Sequence, residues 1–170
     1  MLALLILALP ACGGAKDAPQ PATRFAVSSP AFADNTPIPV EYTCKGRNVP
    51  PPLSWQNPPG GTQTLALVVD DPDAPSGPYV HWVVSGIPAS TTGIGQGLPD
   101  QASVGLNSNG KAEYFGPCPP AGTGVHHYRF QLYALAKPLA LASTTAAQQA
   151  TQTIANAAIA EARTVGTFGS

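Results

Sequence analysis

Charge is scarce in this chain. Its 170 residues hold 8 lysines and arginines and 9 aspartates and glutamates, and neither sign gathers into a block. A surface so thinly charged offers no electrostatic footprint for nucleic acid and no polybasic patch for an anionic membrane. Cysteine is scarcer still. Three residues with no C-x-x-C pair leave no thiolate cage for zinc and no dithiol redox motif. H-x-H and H-E-x-x-H spacings are missing, which argues against a metal site, and no G-x-S-x-G frames an activated serine. Internal repeats are missing too.

What is present suits one domain with a real core. Hydrophobic residues make up 44%, and 20 prolines and 17 glycines are interleaved with apolar runs, the pattern of many turns joining short strands. The first twelve residues, MLALLILALPAC, are too short an apolar run for a membrane span and end in small residues before a cysteine. They look like a bacterial lipoprotein signal peptide, although no Lys or Arg precedes Lys16. On that reading residues 1–11 are removed and Cys12 carries the lipid. Residues 12–23 are then a flexible tether, and residues 24–170 form the domain, exported and anchored to the membrane facing the periplasm or cell exterior. The competing reading is a buried N-terminal strand or helix. For an exported protein the remaining Cys44 and Cys118 are expected to be bridged, closing a loop of about 75 residues worth about 4 kcal/mol in the chain-entropy model.

Hydrophobic periodicity then orders the chain. Arg24 to Ser28 and Ile38 to Thr43 read as short strands, the second with Ile38, Val40 and Tyr42 on one face. Asn48 to Trp55 is proline-rich, and the pattern excludes a central strand there. Thr64 to Asp70, Tyr79 to Val84 and His126 to Ala136 are the stronger strands, and Gly86 to Asn109 reads as a long loop around one short strand. Thr144 to Arg163 reads as a helix with a stripe of Ile154, Ala155, Ala158, Ile159 and Ala162, capped by Ser143 and ended by Gly166. The expected fold is mainly β: a two-sheet antiparallel β-sandwich with one C-terminal helix packed on it.

Strand alternation sorts the polar residues. Asp71 continues the apolar face of Leu65, Leu67 and Val69. His126 and Tyr128 continue that of Phe130 and Leu132, whereas His127 is turned to solvent. His81 shares parity with Tyr79 and Val83. One acid, two imidazoles and a phenol thus gather near strand ends beside proline- and glycine-rich loops. Taken singly, each also fits an ordinary structural role: Asp71 and Asp73 as turn formers, His81 as a buried ring bonded to a carbonyl, Tyr128 as a core ring.

The order of these motifs, PPLSW, DDPDAP, HW and GPCPPAGTGVHHYRFQLYAL, resembles the phosphatidylethanolamine-binding protein family, also called Raf kinase inhibitor-like proteins, across about residues 24 to 168. The resemblance implies a sandwich with a small pocket for anions such as phosphate, phosphorylated lipid headgroups or carboxylates. It also implies ligand-binding roles for Asp71, Asp73, Pro75, His81, Pro120, His126 and Tyr128. Departures are Cys118, where animal members commonly have glycine, and His127, where arginine is common. The expected protein is not an enzyme and needs no cofactor or metal, with a protein partner unnamed. Alternatives are a kinase- or protease-inhibiting interaction module and a hydrolase using His81 or His126 as base beside Asp71.

Overall fold

The structure is a computed structural model that describes residues 23–95 and 97–169. Cys12, the expected signal and most of the expected tether lie outside the described residues. The strands are β1 (Ala26–Ser28), β2 (Thr36–Pro37), β3 (Leu53–Gln56), β4 (Thr64–Asp71), β5 (Tyr79–Pro88), β6 (Gly93–Ile94), β7 (Ser103–Val104), β8 (Val125–Leu135) and β9 (Ala158–Gly169). One helix, α1 (Ala147–Ala157), precedes the last strand. They build a larger sheet in the order β2-β9-β8-β4-β5-β7 and a smaller one in the order β1-β3-β6. Pairing is antiparallel except between β2 and β9, which makes the larger sheet mixed.

Alternation explains the two layers. Leu65, Leu67 and Val69 of β4, with Tyr128, Phe130 and Leu132 of β8, face Val27, Leu53 and Trp55 of the smaller sheet. The intervening residues Ala66, Val68 and Tyr133 pack under Ala147, Ala150 and Ile154 of α1. Because both faces of β4 are covered, its sequence is apolar almost throughout. Asp70 is the exception on the helix side. It is buried and held by a bidentate bond from Arg129 (2.8 and 2.5 Å) and by Gln131 Nε2 (3.2 Å), so its charge is paired where water is excluded.

Four expected elements differ. The helix stops at Ala157, and Ala158 onward is strand, because β8 offers an eleven-residue ladder that outweighs the helix preference of this alanine-rich segment, which is worth only tenths of a kcal/mol per residue. Burial in β9 then alternates, with Ala162, Thr164 and Gly166 inward, whereas Ile159 is 47% exposed. Ser143 does not cap the helix; the cap position is Ala146, with no side-chain bond. Gly166 is a core contact, not a helix stop. A Cβ there would overlap Ile38 and Phe32.

Ile38 to Thr43 is not a strand either. Pro37 and Pro39 remove ladder donors. The chain closes instead into a 3-10 turn over Val40–Tyr42, with Thr43 N–H on Val40 C=O (3.1 Å), so Ile38 is buried while Val40 is exposed. Conversely, the prolines at 50–52 end just before Leu53, and β3 is the middle strand of the smaller sheet, anchored by Trp55 Nε1 on Thr91 C=O (2.6 Å). The Gly86 to Asn109 stretch supplies parts of three strands, as β5 runs on to Pro88 and β6 and β7 serve different sheets.

Candidate functional site

The site forms where β4, β5 and β8 end together. Opposite β4, Val69 pairs with Trp82 but Asp70 pairs with Val80, so His81 is an extra residue in β5. Such a bulge places two successive side chains on one side of the sheet. His81 and Trp82 both face the sandwich, whereas Val80 and Val83 pack on the helix side. The expected shared face of His81 and Val83 is therefore broken, and the bulge is what aims the imidazole at the site.

His81 is 3% exposed. Its Nδ1 lies 2.6 Å from the Phe115 carbonyl, which only accepts, so Nδ1–H donates. The ring stacks on Phe115 (5.8 Å between centroids, 3° between planes) and meets Tyr128 edge-on at 5.2 Å. Burial lowers its pKa, partly offset by the Phe115 carbonyl and the charge of Asp71. The neutral ring thus presents a bare Nε2, which makes no hydrogen bond among the described residues.

Asp71 is fixed from two sides. Its Oδ2 meets His126 Nδ1 at 2.7 Å, and its Oδ1 accepts the Asp73 N–H at 2.8 Å. The other nitrogen of His126 contacts Thr123 Oγ1 at 2.9 Å. This chain has the order of a nucleophile, base and acid, but Thr123 directs its proton to the Pro120 carbonyl at 2.7 Å. The threonine is a turn former there, not an activated nucleophile. With both ring nitrogens engaged and 2% exposure, His126 stands behind Asp71 and holds it in place.

A cavity of about 230 Å³ opens in front, lined by Asp71, Pro75, His81 and Pro120 of the expected set, joined by Tyr79 and Phe115. Asp73, His126 and Tyr128 do not line it. Asp73 turns outward, where Oδ2 accepts from both the backbone N–H and Nδ1 of His127 (2.8 Å each), and these bonds lower its pKa. Tyr128 is fully buried with no hydrogen-bond partner. Burial first, then the Asp71 charge, pushes its pKa well above the usual phenol range. The Cys118 backbone offsets this slightly but makes no bond of proper geometry.

Sequence reasoning missed Tyr79, Phe115 and the His127–Asp73 pair. Tyr79 shares the parity of His81, and Ser76 and Gly77, which also line the cavity, continue the DPDAP turn, so these residues carried a local signal. Phe115 carried none.

The far wall is tied down by distant residues. Cys44 and Cys118 are joined in a disulfide with Cα atoms 5.4 Å apart, and Cys44 N–H donates to the Pro117 carbonyl at 3.1 Å. Gly116 N–H donates to Asn48 Oδ1 at 2.8 Å, and a Cβ on Gly116 would sit 2.5 Å from the Tyr42 carbonyl oxygen. Among the described residues no three His, Cys, Asp or Glu side chains are placed to hold a metal ion. No described helix is long and apolar enough to cross a membrane.

The architecture is a β-sandwich with a small pocket at the end of its larger sheet. The family model described as phosphatidylethanolamine-binding protein matches residues 28–169, and the chain belongs to that family. A Mycobacterium tuberculosis protein named as a lipoprotein, LppC, is 56% identical over 153 residues, covering 88% of this chain and 75% of that one. The crystal structure of E. coli YbcL is similar with a TM-score of 0.81 and 30% identity, covering 86% of this chain and 98% of that one. A Chlamydia trachomatis homologue of phosphatidylethanolamine-binding protein is similar with a TM-score of 0.77 and 33% identity, covering 85% and 96% respectively.

Proposed function

We propose that this chain is a non-enzymatic binding protein whose pocket takes a small oxyanion of the phosphate type, free or as a phosphorylated headgroup. The observation that carries the reading is His81, buried at the pocket with Nδ1–H committed to Phe115 and Nε2 unbonded. Beside the Asp71 carboxylate, a bare Nε2 repels a fully deprotonated oxyanion. Binding therefore requires a proton, either on the ligand as an O–H or on Nε2. The groups that bear on this ring are Asp70 and Asp71 on β4, Tyr79 on β5, Tyr128 on β8, and the carbonyls of Phe115 and Gly116.

The pH dependence has two opposite signs. Since the folded-state pKa of His81 lies below its ordinary 6.5, this ring contributes stability that is present above 6.5 and lost as pH falls through the lower folded value. An oxyanion favours the protonated ring, so its affinity rises as pH falls through that range. Calorimetric titration with inorganic phosphate and phosphoethanolamine between about pH 5 and 8 tests this, with affinities of high micromolar to millimolar expected, about 4 to 6 kcal/mol. His81→Ala should abolish binding, and His127→Ala should leave it intact. Affinity that is flat with pH, or unchanged in His81→Ala, rejects the reading.

Placement at a membrane through lipidated Cys12 is part of the same proposal, supported by the MLALLILALPAC segment and the similarity to a protein named as a lipoprotein. Detergent-phase partitioning should disappear in Cys12→Ala.

A further inference from the structure

The cavity is lined by two buried acceptors and by no lysine or arginine. Asp71 and His81, at 4% and 3% exposure, supply its fixed polar groups. A carboxylate has about four lone-pair sites, and Asp71 spends one on each oxygen, toward His126 Nδ1 (2.7 Å) and the Asp73 N–H (2.8 Å). Each oxygen can therefore accept once more, in a cavity it shares with the bare Nε2 of His81. The hydroxyls of Ser76 and Tyr79, also on the lining, both donate and accept, so they suit any oxygen-bearing ligand. Asp71 can only accept. Because the protein holds both of its oxygens, it cannot turn away from what enters.

An oxyanion brought against a desolvated carboxylate needs a proton of its own. Like charges repel strongly where water is excluded, whereas an O–H aimed at a carboxylate makes a charge-assisted hydrogen bond, stronger than a neutral one. Free phosphate keeps one or two O–H groups around neutral pH, and a monoester carries one on about half its molecules near pH 6. Sulfate and phosphodiesters have the same tetrahedral shape and no such proton. Dihydrogen phosphate matches the cavity in full, with one O–H for Asp71 and the other for His81 Nε2.

Resting on the reading of this pocket as an oxyanion site, we propose that Asp71 is its specificity-determining residue, selecting phosphate that carries an O–H, as free phosphate or a terminal monoester, and rejecting sulfate and diesters. The linking phosphate of an intact phospholipid is a diester, which sets it outside the class.

Calorimetric titration of the full chain at about pH 6 and constant ionic strength, with inorganic phosphate, methyl phosphate, dimethyl phosphate and sulfate, is the test. Phosphate and methyl phosphate should bind at least about tenfold more tightly than the other two, the loss expected when a buried charged acceptor meets a ligand without a donor. In Asp71→Asn the amide keeps an acceptor for the Asp73 N–H, loses the charge and gains a donor. Sulfate should then bind more tightly than to wild type, and the preference for phosphate should largely disappear. A wild type that binds all four probes alike overturns this proposal while leaving the oxyanion pocket standing. One that binds none of them overturns both. Asp71→Asn with native circular dichroism and the wild-type preference intact also overturns the assignment. Should that variant not fold, the wild-type comparison of the four probes still decides.

Discussion

At the scale of single residues, the site is a division of labour. Asp71 and His81 face the cavity, and His126 positions Asp71 from behind. Tyr128 is the anomaly, since a buried hydroxyl without a partner costs stability. Tyr128→Phe is therefore expected to raise the urea unfolding midpoint, by about 1 kcal/mol of stability, with no gain in phosphate affinity. A destabilised variant would show that the hydroxyl has a partner in solution. Alternation along the strands made the inward aim of Asp71, His126 and Tyr128 legible, because it follows from parity alone. It did not show that His126 spends both nitrogens on protein atoms, or that His127, correctly turned outward, meets Asp73. Both depend on where the 71–73 and 120–124 turns lie relative to each other.

At the scale of elements, β9 carries the instructive error. Its residues Ala158 to Arg163 have good helix formers and an apolar spacing that suits either period, so only the neighbouring ladder of β8 decides between helix and strand. Gly166 marks that decision physically, because β9 must pass close beneath Ile38 and Phe32. Gly166→Val should cost about 1 to 3 kcal/mol through overpacking, read as a lower midpoint in chemical unfolding. Unchanged stability would mean that this crossing is looser than the packing indicates. The bulge at His81 is the second feature beyond local pattern. An extra residue in a ladder is defined by its partner strand, and nothing in YVHWVV announces it.

At the scale of the whole molecule, the Cys44–Cys118 bridge joins the turn after Val40–Tyr42 to the pocket wall across 74 residues of sequence. Reduction releases a long loop in the unfolded chain and should lower stability by about 4 kcal/mol. Thermal unfolding of the full chain with and without reductant measures this, and coincident transitions would mean that the bridge does not constrain the unfolded ensemble. The bridge also holds Pro117 to Pro120 against the cavity, so the same covalent link serves the fold and the candidate site.

By itself the sequence determined the β-rich class, the strong strands β4, β5 and β8, the inward parity of Asp71, His126 and Tyr128, and the expectation that Cys44 and Cys118 are paired. These rest on composition, period and the alternation of a strand, which are local properties of the chain. Only tertiary structure decided that β9 is a strand, that His81 sits on a bulge, that Phe115 stacks on it, and that Asp71 faces the cavity while Asp73 does not. Each of those is a relation between segments far apart in sequence. Local preference there is worth a few tenths of a kcal/mol per residue, and a complete hydrogen-bonded ladder or a close-packed neighbour outweighs it.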